Sequence, residues 1–311
     1  MRLLAVVGPT ATGKTPLAVA VAERLGAAEL LNADSRQVIR GLHVATCAPT
    51  PAELRGVACH LLALHDPGEP FSVAGWLDAA RAVLSDLRDG GVQPILVGGT
   101  GLYVSALVDG LDLARVPADP ARRAERSAVA ATAEGLAQLA AELSARDPDA
   151  AESVDLRNPR RVIRALEILD ARGAPLRNAR GRSQATPATL IGLDAPRELH
   201  EALIERRSRG MLETGALVEE VHSALGRGVT RGALESAGIG YREALAVLDG
   251  TVTTEQAAAL VAQRTRRYAK AQRTWFRRDR RIRWLQRGEG PLEPLVDEVL
   301  DALREDARAG Q

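Results

Sequence analysis

Short apolar runs alternate with stretches of helical spacing along the first hundred residues. The runs 3–7, 28–33 and 94–97 are rich in Leu, Val and Ile and predict buried β-strands. Apolar residues recur every three or four positions in 17–25 and again between Phe71-Ser72 and Gly90-Gly91, which predicts helices. Strands that alternate with helices in this way are typical of an α/β fold with a parallel sheet.

The pattern changes near residue 112 and changes back near residue 186. Residues 121–143 are rich in Ala, Arg and Glu and predict helices, and a further helix is predicted over 160–171. The apolar run 189–193 then predicts a strand that returns to the sheet. We therefore predict an α/β core formed by 1–111 and 187–311, with a mostly helical insertion at 112–186. The core continues with helices over 197–211 and 215–225 and a long helix that begins near Thr254.

A phosphate-binding motif lies between the first strand and the first helix. Glycines let the backbone wrap closely around phosphate oxygens, and the N–H groups at a helix start favour an anion. A lysine adds positive charge, and the hydroxyl of Thr15 can hold Mg²⁺. The motif predicts a bound di- or triphosphate without specifying ATP, and it reads Gly8-Pro9-Thr10-Ala11-Thr12-Gly13-Lys14-Thr15.

Polar residues follow the second and third predicted strands, where open α/β sheets place their ligands. Asp34 begins the run Asp-Ser-Arg-Gln after the second strand; it can serve a ligand site, cap a following short helix, or do both. The third strand ends in Gly98-Gly99-Thr100-Gly101, where an ATPase would place an aspartate for Mg²⁺. These glycines predict a tight turn that brings Thr100 close to a ligand.

The composition and the net charge exclude several classes of protein. The 311 residues are 46% hydrophobic but only 3% aromatic, so aliphatic side chains must fill the core. The net charge of +1 excludes a basic-tail protein and an acidic solvating one. No apolar run reaches the roughly 18 residues of a membrane helix, and two cysteines do not form a disulfide framework. We therefore expect a cytoplasmic protein.

Two further features each leave an alternative open. The loop 43–70 holds five possible zinc ligands, but their spacing favours buried cysteines and capping histidines over a metal site. Basic residues cluster on one face of the helix that starts near Arg157 and again over 264–287, where aromatic residues are interleaved. Such stripes suit an RNA backbone and stacked bases, although solvated helix faces would look similar. The zinc candidates are His43, Cys47, Cys59, His60 and His65.

Taken together, these motifs resemble the bacterial tRNA dimethylallyltransferase family, which is also called the isopentenyl-tRNA transferases. The resemblance spans nearly the whole chain, in order. Besides the phosphate loop, the matching segments are Ala33-Asp34-Ser35-Arg36-Gln37-Val38, Arg40-Gly41-Leu42, Leu96-Val97-Gly98-Gly99-Thr100-Gly101-Leu102-Tyr103, Asn158-Pro159-Arg160-Arg161-Val162, Gly240-Tyr241-Arg242 and Ala269-Lys270-Ala271-Gln272-Arg273-Thr274-Trp275-Phe276.

The resemblance implies a P-loop NTPase-like core and transfer of a dimethylallyl group from dimethylallyl diphosphate to N6 of the adenosine 3′-adjacent to the anticodon of tRNA. It implies that Asp34 is the general base, that Thr100 contacts the reacting nucleotide, and that Mg²⁺ binds at Thr15. The implied diphosphate ligands are Gly8, Pro9, Thr10, Ala11, Thr12, Gly13, Lys14, Thr15 and Arg207. The implied tRNA contacts are Asp34, Ser35, Arg36, Gln37, Thr100, Arg123, Arg160, Arg161, Val162, Ile163, Arg164, Ala237, Gly238, Ile239, Gly240, Tyr241 and Arg242.

The chain departs from the family pattern at three places. The run Val44-Ala45-Thr46-Cys47-Ala48-Pro49 lacks the usual lysine, Ala58-Cys59-His60 replaces a Pro-His-His-like site, and Ala237-Gly238-Ile239 precedes Gly240. Two other functions stay open from the sequence: a small-molecule kinase, against which the glycine-rich strand end argues, and a non-catalytic RNA-binding protein, against which the presence of Asp34, Lys14 and Thr100 argues. We expect a monomer with tRNA and dimethylallyl diphosphate as partners.

Overall fold

A single parallel sheet forms the centre of the larger part of the molecule. The computed structural model describes residues 1–111, 116, 119–173 and 185–309. Six strands lie in the order β3-β2-β4-β1-β5-β6, and every neighbouring pair is parallel. This confirms the predicted α/β class. The strands are β1 (Leu3–Val7), β2 (Ala28–Asn32), β3 (Cys59–His60), β4 (Gln93–Gly98), β5 (Ala188–Asp194) and β6 (Arg283–Gln286).

Helices follow most strands, and several begin at the caps that their sequences predict. Ser72 caps the third helix through the amide of Gly75, and Thr253 caps the long helix near Thr254 through the amide of Gln256. The helices are α1 (Lys14–Leu25), α2 (Pro51–Leu54), α3 (Val73–Asp89), α4 (Gly101–Val108), α5 (Pro120–Val129), α6 (Ala133–Arg146), α7 (Pro148–Ser153), α8 (Pro159–Arg172), α9 (Arg197–Glu213), α10 (Ala216–Gly226), α11 (Arg231–Ala237), α12 (Tyr241–Leu248), α13 (Thr254–Phe276) and α14 (Glu293–Ala309).

The register of the sheet brings three strand ends to one edge. β1 is fully buried between β4 and β5, with Val7 opposite Gly98 on one side and Gly192 on the other. Asn32 at the end of β2 pairs with Val97 of β4. The phosphate loop, the Asp34 segment and the Gly-Gly-Thr turn therefore leave the sheet beside one another, as parallel strands require.

Two strands were missed by the sequence analysis. β3 has only two residues, and β6 lies inside the basic stretch 264–287, whose helical part ends at Phe276. β6 pairs with β5, and the indole of Trp284 packs where a side chain at Gly192 would stand. Trp275, in contrast, is 37% exposed.

The chain divides into two compact units, residues 1–108 with 186–311 and residues 109–185. The smaller unit consists of α5 to α8. Its core is aliphatic and includes Leu139, Leu143, Leu166 and Leu169. The predicted role of this unit in tRNA binding stays a prediction.

Two of the residues predicted to contact tRNA have buried side chains in the smaller unit. Val162 is fully buried and Ile163 is 5% exposed, because both lie on the apolar face of α8. Their side chains are therefore not available to RNA, and a contact of these two residues with tRNA through the backbone stays a prediction. Arg160 and Arg161, on the other face, are exposed.

Two other residues predicted to contact tRNA, Arg123 and Arg164, are hydrogen-bonded to a buried carboxylate. Glu167 accepts hydrogen bonds from Nε and Nη2 of Arg123, both at 2.6 Å, and from Nη1 of Arg164 at 3.1 Å. Burial opposes the charge of Glu167, but these hydrogen bonds hold its pKa below the ordinary value. Arg123 and Arg164 therefore stabilise the helical unit, whatever they contribute to binding.

We predict that Ile163→Ala lowers the free energy of unfolding by about 2–5 kcal/mol, because it leaves a cavity in the core of the smaller unit. Urea denaturation of the full chain measures this. Arg160→Ala, one turn away on the exposed face, serves as the matched control and should change stability by no more than about 0.5 kcal/mol. Equal stabilities for the two variants would contradict the burial of Ile163.

Candidate active site

Asp34 and Thr100 are held side by side at the ends of β2 and β4. The amide of Thr100 donates to the carbonyl of Ala33 at 3.0 Å, and the amide of Ser35 donates to Oγ1 of Thr100 at 2.9 Å. The Thr100 hydroxyl lies 3.2 Å from Oγ of Ser35. The structure thus brings together the two residues that the sequence analysis singled out for catalysis.

The carboxylate of Asp34 is oriented by its own backbone segment. Its Oδ1 accepts from the amide of Arg36 at 2.9 Å, and its amide donates to the side chain of Asn32 at 3.1 Å. The following residues form a turn, so the predicted short helix is absent and Asp34 caps a turn instead. Oδ2 has no hydrogen-bond partner within the part of the chain that the structure describes, so it can accept a proton from a ligand.

The phosphate loop has a defined conformation. Gly8 has φ 137°, and a Cβ there would lie 2.4 Å from the carbonyl oxygen of Leu193, so only glycine fits. The hydroxyl of Thr12 and Nζ of Lys14 both donate to the carbonyl of Pro9, at 2.9 and 2.7 Å. α1 begins at Lys14, so its first N–H groups lie at the loop and favour an anion there.

Three arginines join Lys14 around the phosphate loop. A cavity of about 440 Å³ is lined by the loop and by Arg206, Arg207 and Arg287, with Asp34 and Glu53 as its carboxylates. Burial, with a contribution from Arg207, lowers the pKa of Lys14 to about 8, and burial together with Arg206 lowers the pKa of Arg287. An excess of cations that disfavour one another marks a site for a polyanion.

Sequence analysis had found only part of this cation cluster. Arg207, which it predicted, donates to the hydroxyl of Thr10 at 3.0 Å. Arg206 precedes it on α9 but was not predicted to bind the anion. Arg287 follows β6 and donates to the carbonyl of Thr12 at 3.1 Å. No sequence signal connects residue 287 with the loop, because the contact depends on β6 joining the sheet beside β5.

Thr10 is also held through its backbone by a histidine. Arg273 can only donate, so its contact of 2.8 Å with Nδ1 of His200 makes that nitrogen an acceptor. Nε2 of His200 then carries the proton and donates to the carbonyl of Thr10 at 2.8 Å. Burial, together with the charge of Arg273, lowers the pKa of His200, so the neutral ring is the folded form. Sequence analysis did not identify this residue.

A second cavity, of about 310 Å³, lies on the other side of Asp34. It shares Asp34, Thr10 and Arg207 with the first cavity and extends to Gly238 and Tyr268. Burial raises the pKa of Tyr268 to about 12, so its phenol is neutral. Asp34 therefore lines both cavities. The walls of the second one hold arginines as well, beside the phenol of Tyr268: Arg36, Arg207, Arg242 and Arg264.

Arg36 and Gln37 attach two other segments to this second cavity. Nη1 of Arg36 donates to the carbonyls of Ser236 and Ala237 at 2.9 and 3.3 Å. Nε2 of Gln37 donates to the carbonyls of Thr46 and Cys47 at 3.2 and 2.8 Å. The predicted tRNA-contacting segments 34–37 and 237–242 are thus adjacent in space.

Not every residue of segment 237–242 is available to a ligand. Tyr241 is fully buried and donates its hydroxyl to Glu220 at 3.0 Å, and Ala237 is 2% exposed. Both side chains pack in the core, and the predicted contact of these two residues with tRNA stays a prediction. Gly240 is buried as well. Gly238, Ile239 and Arg242 line the cavity.

The basic stretch 264–287 is partly neutralised by distant acids. Arg273 binds the buried carboxylate of Asp194 through Nε and Nη2, at 2.8 and 2.7 Å. Arg264 lies 2.7 Å from Glu243 and Arg283 lies close to Asp306 and Glu305. These three arginines are therefore paired within the protein, and a contact of the stripe with RNA stays a prediction. Exposed cations remain at Arg267, Lys270, Arg278 and Arg280.

The residues once considered as zinc ligands have other partners. Nε2 of His60 lies 2.6 Å from Glu29, and the ring of His65 stacks on Phe71 at 4.7 Å. Burial raises the pKa of the Cys59 thiol to about 12. Across residues 1–111, 116, 119–173 and 185–309, no group of three or more His, Cys, Asp or Glu has the geometry of a metal site.

Magnesium fits the cationic cavity better than a soft metal does. The side chains of Thr10, Thr15, Asp34 and Glu53 bring oxygen donors to it. Burial raises the pKa of the Cys47 thiol, which also lines it, and this disfavours the thiolate that a soft metal would need. Mg²⁺ prefers oxygen and is commonly held by one or two protein groups, with phosphate and water completing its shell. A site with so few protein ligands is consistent with this chemistry.

Two family models match this chain. The IPP transferase family model matches residues 37–279, and the isopentenyl transferase model matches residues 1–65. The chain belongs to the IPP transferase family. Among the described helices of this family member, none is long and apolar enough to cross a membrane.

Similar proteins carry names that agree with this family. A tRNA dimethylallyltransferase of Kineococcus radiotolerans is 41% identical over 309 residues, which cover 97% of this chain and 96% of the relative. One from Bifidobacterium longum is 39% identical over 307 residues, covering 96% of this chain and 90% of the relative. The tRNA isopentenylpyrophosphate transferase structure of Bacillus halodurans has a TM-score of 0.71 at 37% identity and covers 99% of each chain. A eukaryotic dimethylallyltransferase structure, with a TM-score of 0.71 at 24% identity, covers 92% of this chain and 74% of its own and shares the fold.

We predict that Arg287→Met raises the Kd for inorganic diphosphate about tenfold or more, because a hydrogen bond to a charged group contributes about 1.5–3 kcal/mol. Isothermal titration calorimetry with Mg²⁺ present measures this. Arg280→Met removes an exposed arginine of the same basic stretch and should leave the Kd within about twofold. Equal increases in the Kd for the two variants would argue that the positive charge of the whole surface, and not a defined site, attracts diphosphate.

We predict that His200 makes stability fall as the pH drops below 6.5, its ordinary pKa. The folded pKa is lower, so between the two values the unfolded chain binds a proton that the folded chain does not. The contribution of His200 to stability is therefore complete above pH 6.5 and is lost as the pH falls below it. Melting temperatures from pH 8 to 5 should fall less steeply for His200→Gln than for the wild type. His222→Gln, on the surface of α10, should keep the wild-type slope, and identical slopes for all three proteins would refute the assignment.

Proposed function

We propose that this chain transfers a dimethylallyl group from dimethylallyl diphosphate to N6 of the adenosine 3′-adjacent to the anticodon in tRNA. The products are N6-(dimethylallyl)adenosine and diphosphate. The observation that carries the proposal is the position of Asp34, which stands between a cationic cavity at the phosphate loop and a second cavity beyond it. A transferase of this kind needs a carboxylate between its leaving group and its acceptor.

The cationic cavity suits the diphosphate. The loop amides, Lys14, Arg206, Arg207 and Arg287 would meet its negative charge, and preorganised donors of this kind stabilise a leaving group as charge develops on it. Thr15, on the first turn of α1, would hold Mg²⁺ through its hydroxyl. The metal would neutralise part of the diphosphate charge. We expect the same loop to bind the phosphates of a nucleotide.

The second cavity suits the adenine. An exocyclic amine is a weak nucleophile, so a carboxylate that accepts its proton assists attack. As the bond from N6 to the allylic carbon forms, the carbon–oxygen bond breaks with its electron pair going to diphosphate, and the N6 proton passes to Oδ2 of Asp34. Thr100, fixed by Ser35, would contact the same nucleotide. The base must leave its stack to reach this depth.

Transfer RNA would bind through exposed arginines and through the residues around the second cavity. Arg160 and Arg161 on α8, and Arg36 and Arg242 in the larger unit, are all exposed. Contacts with the phosphate backbone would make the affinity for tRNA fall as salt rises. We expect the protein to act as a cytoplasmic monomer.

We predict that Asp34→Asn lowers the rate of transfer by about 10² or more, because the amide cannot accept the N6 proton. The assay supplies labelled dimethylallyl diphosphate, Mg²⁺ and unmodified tRNA, and follows label at adenosine N6. Asp86→Asn, on the exposed face of α3, is the matched control and should transfer at the wild-type rate.

Three outcomes of this assay would count against the proposal. ATP turnover by the wild type without prenyl transfer would indicate a kinase-like enzyme. Binding of tRNA without either activity would indicate an RNA-binding protein. Full activity of Asp34→Asn would remove Asp34 from the role of base.

A further inference from the structure

One face of α13 packs against the loops that form the candidate site. Tyr268, Gln272 and Trp275 are spaced by four and three residues, so their side chains lie on the same face of the helix. Trp275 packs on Gly101, where its indole occupies the place of a Cβ. Gln272, between the other two, is 5% exposed and reaches the interior. It has no role in the function proposed above.

The Gln272 amide joins two loops that come from different strands. Its Oε1 accepts from the backbone amide of Thr10, in the phosphate loop after β1, at 2.8 Å. Its Nε2 donates to the carbonyl of Gly99, in the turn after β4, at 2.9 Å. One partner can only donate and the other can only accept, so the orientation of the amide is determined by its contacts. A buried amide with both ends satisfied forms a rigid link.

The turn is shaped to receive this side chain. A Cβ at Gly99 would lie 2.2 Å from Nε2 of Gln272, so any other residue there would displace the amide. Thr100, which follows directly, contacts Ser35 beside Asp34. Gln272 is therefore connected to Ser35, the neighbour of the candidate base, through the Gly99–Thr100 peptide unit and the hydroxyl of Thr100.

The other end of the link holds the phosphate loop in a strained form. Thr10 is held at its amide by Gln272, at its carbonyl by His200 and at its hydroxyl by Arg207. The next residue, Ala11, has φ 67°, a left-handed conformation that alanine rarely adopts. Such a conformation persists only where its surroundings determine it, which points to a loop that is shaped before any anion binds.

We propose that Gln272 is a positioning residue that sets the distance between the phosphate loop and the Thr100–Asp34 pair. It lines neither the diphosphate cavity nor the adenine cavity and acts through its contacts with Thr10, Gly99 and Tyr268. Displacements of about 1 Å between reacting groups can reduce a rate about 100-fold. The kinetic part of this inference rests on the proposed function, whereas its effect on the phosphate loop does not.

The test uses Gln272→Met, which keeps the shape of the side chain but removes its hydrogen bonds. We expect kcat for transfer to fall about 10- to 100-fold, with KM for tRNA within about twofold of the wild type. The Kd for inorganic diphosphate with Mg²⁺ should rise about tenfold, because the loop must be ordered on binding. Gln263→Met, on the exposed side of the same helix, should change none of these values.

A double-mutant cycle with Thr100→Ala separates positioning from general loss of structure. If Gln272 acts through the Gly99–Thr100 turn, Gln272→Met should cost much less kcat in the Thr100→Ala background than in the wild type. Strictly additive losses, or a loss of kcat that a titration of active enzyme traces to misfolded protein, would overturn the inference. So would wild-type values of kcat and of the diphosphate Kd in Gln272→Met.

The diphosphate titration keeps this test apart from that of the proposed function. Absence of prenyl transfer by the wild type would overturn the proposed function. In that event, a weaker diphosphate affinity of Gln272→Met relative to Gln263→Met would still support the link to the loop. An unchanged affinity would overturn the inference as well.

Discussion

The parallel pairing of β1 with β4 and β5 is the constraint on which the site depends. Parallel strands in register end at the same level, so the loops that follow them share one edge of the sheet. The motif after β1, Asp34 after β2 and Thr100 after β4 thereby meet without any long-range signal in the loops themselves. Close packing of β5 and α13 against these loops explains why Gly8 and Gly99 have no side chain: a Cβ at Gly8 would collide with Leu193, and one at Gly99 with Gln272.

The charged side chains near this edge of the sheet differ in their partners. Arg273 is bound to Asp194, and Arg123 is bound to Glu167, so both arginines mainly stabilise the fold. Hydrogen bonds from Arg273 hold the pKa of Asp194 low despite its burial, which keeps this pair charged. Lys14 and Arg287, in contrast, are buried beside other cations; burial is the main cause of their lowered pKa values, and Arg207 and Arg206 lower them further. An anion that enters the cavity relieves the repulsion between these cations. The affinity of the cavity for an anion therefore depends on where the cations are placed.

Helices outside the sheet complete the site by holding the loops. α9 contributes His200 and Arg207, and α13 contributes Gln272, so that Thr10 is fixed from two helices at once. The loop thus keeps a shape that includes the strained Ala11 before a ligand is present. Rigid support of this kind reduces the ordering that binding and reaction would otherwise require.

Local pattern alone determined the phosphate loop, the strand ends at Asp34 and Thr100, and the α/β class, because each depends on residues close together in the chain. Burial and charge pairing required the tertiary structure. Val162 and Tyr241 lie within matching motifs yet pack in cores, since motif membership does not report which face a helix buries. The acids that neutralise the C-terminal arginines come from distant segments, so counting charges within 264–287 overestimated the free surface. Arg287, His200 and Gln272 reach the phosphate loop only because β6, α9 and α13 fold back onto it, a contact between residues up to 275 positions apart that no local pattern encodes.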